Sequence, residues 1–316
     1  MAISSSSCYS LVLNTETKTL LCPVPGCKTR LTSGTRLCDE HSVAILQERK
    51  DLPNLSIIRL PTSNTNEFVT LFPLSKSSER YTSLVTSIMN DWKKQNVTDL
   101  KIETIAEIHP SPSQTKTFNE YKTMILNTRN DDDDVKDNVY NHNKVMALYH
   151  GTHQHCDPLL TTENGQLQSN SQVLCGNSNC GVCGVILNGF DPNKIGQNAR
   201  GETFQRLGKG FYFAPHPSKA HYYSRGAQKC HSNDPTRKTQ VLLRCLVAVG
   251  KPYHENVVQP KKTAPPEGYD SVYGAIGTCK SRGHGPLNWP EYAVYDPRAA
   301  IAVDYIVYSY TSTSEF

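Results

Sequence analysis

The chain has no apolar run long enough to cross a membrane. Its longest such stretch, Val241–Val249, is broken by Arg244 and falls far short of the ~20 residues a spanning helix needs. Met1–Asn14 carries no basic cluster ahead of an apolar core, so no secretory signal is expected. The protein is read as intracellular, in nucleus or cytoplasm, with no membrane partner. Common catalytic signatures are missing too. There is no Gly-x-x-x-x-Gly-Lys-Ser/Thr phosphate loop and no Gly-x-Gly-x-x-Gly behind a strand. There is no Gly-x-Ser-x-Gly elbow and no His-Glu-x-x-His zinc helix. These absences set aside P-loop hydrolysis, Rossmann dinucleotide chemistry, α/β-hydrolases and zincin proteolysis. Apolar content is low, about 38% once glycine replaces tyrosine in the count, against ~45–50% for ordinary globular chains. Charge is low as well, at 20%, which points to a folded, loop-rich protein rather than a disordered one.

The length of 316 residues suits two domains, or one large domain with an appendage. Net charge is only +4, but between Arg200 and Lys262 there are 12 Lys and Arg against 3 Asp and Glu. Such a basic segment attracts phosphate, in a dinucleotide or in nucleic acid. The alternative is a solvated surface whose acidic partners lie elsewhere in the fold.

Eleven cysteines in an intracellular chain argue for metal or structural thiols rather than disulfides. Cys22-Pro-Val-Pro-Gly-Cys27 is followed, ten residues on, by Cys38-Asp-Glu-His41. Two close pairs across a short loop suit tetrahedral zinc, each pair spanning two corners. Leu31, Leu37 and Val24 are too few for an independent core, so metal binding, ~10–16 kcal/mol in small zinc modules, would supply the folding free energy. The second cluster, Cys175-Gly-Asn-Ser-Asn-Cys180-Gly-Val-Cys183, offers three thiols in a Gly- and Asn-threaded loop. Its best fourth ligand is Cys156, with His153 and His155 behind it. Both sites, two zinc ions in all, read as structural, because four protein ligands leave no open position.

Periodicity supplies the organisation. Residues 1–20 read as a flexible N-terminus, 21–45 as a zinc-finger-like module, 46–75 as a connector and 76–316 as the main domain. Tyr81, Leu84, Val85, Ile88 and Trp92 have helical spacing, as do Phe118, Tyr121 and Ile125, while Lys101–His109 alternates as a strand. Helices are also expected at Cys180–Gly189 and Pro217–Ser224. Strands are expected at Val145–Tyr149, Gly210–Ala214, Thr239–Gly250, Tyr292–Tyr295 and Ile301–Tyr308. Strands that do not alternate regularly with helices predict an α+β fold with mainly antiparallel sheets, not a doubly wound one. The run Asp131–Asp134 reads as a solvated loop.

Three blocks carry chemistry: Leu148-Tyr149-His150-Gly151-Thr152; Leu207-Gly208-Lys209-Gly210-Phe211-Tyr212-Phe213-Ala214 with Ser218–Ser224 behind it; and Trp289-Pro290-Glu291-Tyr292-Ala293-Val294-Tyr295-Asp296. They resemble the His-Gly-Thr/Ser, Gly-x-Tyr-Phe-Ala and Glu-Tyr-x-x-Tyr blocks of the poly(ADP-ribose) polymerase-like ADP-ribosyltransferases. Thr263–Pro266, Asp270–Gly274 and Ile301–Tyr310 look most like the tankyrase branch. The likeness spans about Lys76–Tyr310 in the correct order. It implies two mainly antiparallel sheets with flanking helices, NAD as substrate and a catalytic triad of His150, Tyr212 and Glu291. It further implies that Gly151 holds the nicotinamide carboxamide through its backbone. His150 and Thr152 would sit at the adenine-side ribose, and Tyr212 and Tyr223 would sandwich the nicotinamide, with Ala214 beside them. The acceptor would be a protein or a nucleic acid, and transfer of single units or short chains is favoured.

Physical chemistry agrees with these roles. A tyrosine face contributes ~1–2 kcal/mol to a desolvated pyridinium cation. A carboxylate about 4 Å from an oxocarbenium-like sugar contributes ~4 kcal/mol at an effective dielectric near 20. The chain departs from the family at Ala220, where many members carry a serine that bonds the carboxamide; Ser218 or Ser224 could substitute. The family's regulatory helical domain has no counterpart, since 42–75 is too short for it. Two other readings compete: an NAD glycohydrolase with water as acceptor, and a catalytically weak zinc-binding interaction module.

Overall fold

In a computed structural model the protein is described over residues 12–14, 19–21, 58–62, 67–93, 97–127, 145–166, 168, 175, 177, 179–196, 205–226, 237–280 and 285–312. The elements run β1 Val12–Asn14, β2 Thr19–Leu21, β3 Ile58–Pro61, β4 Phe68–Pro73, α1 Glu79–Asp91, β5 Val97–His109 and α2 Pro112–Asn127. Then come β6 Met146–His150, β7 His153–Gln154, α3 Gly181–Asn188, β8 Phe211–Phe213, α4 Pro217–His221, β9 Arg225–Gly226 and β10 Arg237–Val247. The last are β11 Pro252–Glu255, β12 Ser271–Gly274, β13 Glu291–Val294 and β14 Ala300–Ser312.

A six-stranded sheet has the order β3-β4-β5-β14-β10-β6, with every neighbouring pair antiparallel. Consecutive residues on its inner strands bury opposite faces, so both sides need cover. Ile105, Tyr149, Leu242, Ile306 and Tyr308 share a core with Tyr81 and Ile88 of α1. Ala106, Leu148, Leu243, Tyr305 and Val307 form the other core with Phe118 and Tyr121 of α2 and Val182 and Ile186 of α3. The helix α1 starts where the sequence places a polar cap: Ser78 Oγ accepts the Tyr81 N–H at 3.2 Å, satisfying one of the helix's orphan donors.

The second sheet has four strands, β11-β12-β13-β8; its pairs are antiparallel except β11 with β12. The α+β class with two mainly antiparallel sheets is as expected. Two stretches differ from the sequence reading. Within 46–75, expected as connector, β3 and β4 pair into the large sheet. Within the N-terminus expected to be flexible, β1 and β2 pair antiparallel. Cys22, Cys27, Cys38 and His41 lie outside the described residues, as does Asp131–Asp134.

One ion cluster fastens α1 to the large sheet. Asp304 of β14 is fully buried, and its carboxylate meets Arg80 Nη2 at 2.6 Å and Arg244 Nη1 at 2.9 Å. Arg80 also reaches Glu107 at 3.7 Å. Removing the buried anion would leave two cations facing each other. Asp304→Asn is expected to cost about 2–4 kcal/mol, somewhat under the usual 3–5 for a fully buried pair because both arginines reach solvent; urea unfolding measures it.

Candidate active site

The two sheets meet through backbone hydrogen bonds: the Tyr149 N–H donates to the Ala214 carbonyl at 2.8 Å, and the Ala214 N–H to the Tyr149 carbonyl at 2.9 Å. Where β6 runs out beyond this bridge a cleft of about 1260 Å³ opens. His150, Gly151, Thr152, Tyr212, Ala214, Tyr223 and Glu291 all line it, so the residues expected from three separate sequence blocks share one cavity.

His150 ends β6 opposite Leu243 of β10. Its Nδ1 lies 2.9 Å from the Tyr212 carbonyl oxygen, and its ring packs against Phe190 and Phe213. Burial pulls its pKa down, more than the bond to the Tyr212 carbonyl pulls it up. The imidazole is therefore neutral at pH 7, and since a carbonyl can only accept, its proton sits on Nδ1. Nε2 is left as an acceptor. Gly151 follows because nothing else fits: a Cβ there would stand 1.9 Å from the Ala220 carbonyl oxygen.

Tyr212 lies in β8 opposite Ala293 of β13. Its hydroxyl donates to the Gly208 carbonyl at 2.8 Å and accepts the Leu207 N–H at 2.9 Å. Both hydroxyl contacts point away from the ring, so the ring's orientation is fixed while its face stays on the cleft. Burial, then the nearby Glu291 charge, push the phenol's pKa far up, so it stays un-ionised.

Glu291 opens β13 and is 4% exposed. Its Oε2 is 3.0 Å from Lys219 Nζ, and the same ammonium stands 5.4 Å from the centre of the Tyr223 ring. Burial alone would lower the Lys219 pKa, but Glu291, helped by Tyr223, raises it above the ordinary value. Lys219 was not singled out from sequence. It is an unremarked lysine in a five-residue helix, and its partner is remote in the chain. Arg206 and Lys194 also line the cleft, and sequence gave them no role either.

The two serines near Ala220 differ: Ser218 is already engaged, while Ser224 Oγ lies beside Gly151, where a Cβ would stand 2.9 Å from it. Ser218 Oγ accepts the Lys93 N–H at 2.6 Å, and Ser224 is buried. Ala220 lines the cleft, while Ser218 and Ser224 are not among the lining residues.

The thiols of Cys156, Cys175, Cys180 and Cys183 gather within 4.8 Å of one another. Individual sulfur separations are 3.3 Å for Cys180–Cys183, 3.5 Å for Cys156–Cys183, 3.7 Å for Cys175–Cys183 and 3.8 Å for Cys156–Cys180. Four sulfurs at ~2.3 Å from one zinc stand about 3.8 Å apart, so the donor set fits a tetrahedral thiophilic ion. Cys156 is the fourth member, as expected. His153 and His155 are not among the four, although the His155 N–H donates to Cys180 Sγ at 3.4 Å. Hydrogen bonds from Cys156 and Cys183 hold the Cys180 thiol well below the ordinary range. The cluster also walls the cleft, because Cys175, Cys180 and Cys183 line it.

A family model described as the poly(ADP-ribose) polymerase catalytic domain matches residues 78–309. A search of the curated proteins finds no match.

Two glycines on this cleft make opposite predictions. Gly151→Ala forces backbone apart and is expected to destabilise by about 2–3 kcal/mol, the upper part of the usual ~1–3 kcal/mol range for overpacking. Gly184→Ala in α3, where a Cβ would meet nothing within 4 Å, is expected to stabilise by about 0.5–1 kcal/mol through helix propensity. Denaturant unfolding of both variants checks the pair.

Proposed function

Because the chain belongs to the poly(ADP-ribose) polymerase catalytic-domain family, we propose that its cleft binds NAD, releases nicotinamide and passes ADP-ribose, singly or in short chains, to a protein or nucleic-acid acceptor. The observation that carries this reading is the convergence of His150, Tyr212 and Glu291 on one cavity. The geometry supports the following roles. Nε2 of His150 accepts from a hydroxyl of the adenine-side ribose, because Nδ1 is spent on the Tyr212 carbonyl. The backbone of Gly151 takes the carboxamide, and Tyr212 and Tyr223 flank the pyridinium ring. Glu291 bonds the nicotinamide-ribose hydroxyl and faces the positive charge that grows as the C–N bond opens.

Lys219 has two effects on that carboxylate. It gives the Glu291 carboxylate a partner at 3.0 Å in a buried position, where an unpaired charge would be costly. It also fixes the carboxylate before the reaction, so little reorganisation remains to be done at the transition state. Ala220 offers no hydroxyl to the carboxamide, and one missing neutral hydrogen bond, ~0.5–1.5 kcal/mol, weakens NAD binding by roughly 2–10-fold without abolishing turnover.

We assign Cys156, Cys175, Cys180 and Cys183 to a structural zinc ion. Bound there, the ion would cross-link β7 to the start of α3 and supply no chemistry to the substrate. A second zinc at Cys22, Cys27, Cys38 and His41 rests on ligand spacing alone.

With labelled NAD, Glu291→Gln is expected to cut kcat for nicotinamide release by about 10²–10³ with KM little changed, the pattern of a group acting mainly in the transition state. Unchanged turnover would remove Glu291 from the mechanism. Free ADP-ribose without labelled macromolecule would replace transfer by hydrolysis. Metal analysis is expected to find about two zinc ions per chain, with Cys183→Ser losing one of them and lowering the melting temperature.

A further inference from the structure

Two residues of the cleft lining belong neither to the catalytic blocks nor to the thiol set. Asn177 and Asn179 line the cavity and are exposed, and they lie between Cys175 and Cys180 in the loop ahead of α3. That loop enters the cleft beside Thr152. A Cβ on Gly181 would meet Thr152 Oγ1 at 2.2 Å and the His153 carbonyl oxygen at 3.2 Å, and the His155 N–H donates to Cys180 Sγ at 3.4 Å. His150 and Thr152 meet the adenine-side ribose in the reading above, so the substrate group next outward from Thr152 is the adenine.

The two asparagines are not equivalent. Asn177 Oδ1 accepts the Asn179 N–H at 2.9 Å, closing a turn that fixes the backbone of Asn179. The Asn179 side-chain amide has no hydrogen-bond partner among the described residues. An amide offers a donor and an acceptor side by side and no charge. It therefore suits a base edge better than a diphosphate, for which Lys194, exposed and lining the same cavity, supplies a cation. Adenine presents its N6 amino group as donor next to N7 as acceptor, and an asparagine can take both at once. Hypoxanthine carries an oxygen in place of that amino group, so the amide oxygen would face another acceptor.

We propose that Asn179 reads the adenine of the substrate, and that the metal-binding thiols hold this reader in place. The proposal rests on the reading of the cleft as an NAD site and of the four thiols as a metal site. The turn is short and is tied at both ends: Cys175 Sγ stands 3.7 Å and Cys180 Sγ 3.3 Å from Cys183 Sγ. With an ion held by the four sulfurs, the amide meets the base without the loop first having to be ordered, and that ordering cost is avoided. Opening one end of the turn returns it. Base recognition and metal binding are in this way one site rather than two. The nicotinamide end is built from β8, β13 and the end of α4, so the two halves of the substrate respond separately.

The test uses the full metal-loaded chain and three probes measured by calorimetry: ADP, inosine diphosphate, which differs from ADP only in its hypoxanthine base, and nicotinamide. Wild type is expected to bind ADP at least about tenfold more tightly than inosine diphosphate, within the roughly 5–150-fold that a doubly bonded base contact gives. N179A, a change at an exposed position, is expected to weaken ADP until the two nucleotides bind within about twofold of each other, while nicotinamide affinity changes less than about twofold. C175S, which frees one end of the turn and leaves three thiols, is expected to do the same. Stripping the metal from wild type with a chelator, with folding followed by circular dichroism, repeats that comparison without a substitution. Equal affinities in wild type, no binding of either nucleotide, or a preference that survives N179A overturns the proposal. A preference lost in N179A but kept both by C175S and by the stripped protein overturns the part given to the thiols. Absent nicotinamide release from NAD beside an intact base preference would instead remove the transferase reading.

Discussion

The cleft exists because two sheets approach each other at backbone distance. The Tyr149–Ala214 bridge leaves no room for a side chain between β6 and the strand that follows it in the second sheet. Three features follow from that closeness. The Tyr212 carbonyl comes within reach of the His150 ring and fixes its tautomer. Gly151 lies so close to the Ala220 carbonyl that any Cβ would collide. The backbone of the cleft floor is thereby left open to a ligand. A separation wider by one methyl group would release all three at once, since packed interiors tolerate few voids.

The second sheet carries two buried carboxylates on one face. Glu255 and Glu291 stand either side of Gly274 in the register of β11, β12 and β13, and each has its own lysine, Lys262 and Lys219. The space above Gly274 is taken by Leu287 and Leu207, which a Cβ there would meet at 2.6 and 3.3 Å. An apolar plug therefore separates two ion pairs that would otherwise couple. One pair faces the cleft and holds the anion that substrate would meet. The other ties down the loop 256–262 that forms the outer rim.

How far the sequence revealed this depended on whether the signal was local. The 3-4 spacing from Tyr81 to Trp92 located α1 to within two residues at its start, and the apolar runs found β10 and β14. The hairpin β3–β4 escaped notice because it is short, bounded by Pro61 and Pro73, and buries only a few residues such as Val69 and Leu71. Its strand character comes from pairing with β5. Catalytic-block residues were legible because each sits in a contiguous motif. Lys219 was not, since its importance comes from a partner on a distant strand. Cys156 could be suggested only by nearness in sequence. What brings it to the other thiols is the packing of the β7 segment against the start of α3, where the His155 N–H donates to Cys180 Sγ at 3.4 Å and Gly181 abuts Thr152 and His153, which no local pattern encodes.

The cysteine cluster has a bearing on the cleft beyond its own stability. The N-cap of α3 is Cys180, whose side chain makes no capping hydrogen bond, so ordinary capping does not fix this end of the helix. The thiol cluster does so instead, drawing Cys180 and Cys183 onto Cys156. Gly181 is thereby pressed against Thr152, where a Cβ would meet Oγ1 at 2.2 Å. Just beyond the other end of α3, Phe190 packs edge-on to His150 at 5.2 Å. One cleft wall is thus held at both ends, by sulfur near Thr152 and by an aromatic contact at His150. A cross-link at the first end removes freedom that a one-ended wall would keep, and it acts on the two residues that would meet the adenine-side ribose. On this account the loop that brings the cysteines sets the width of the cleft, and the loss of the cross-link would be felt first as looser substrate binding rather than as loss of chemistry.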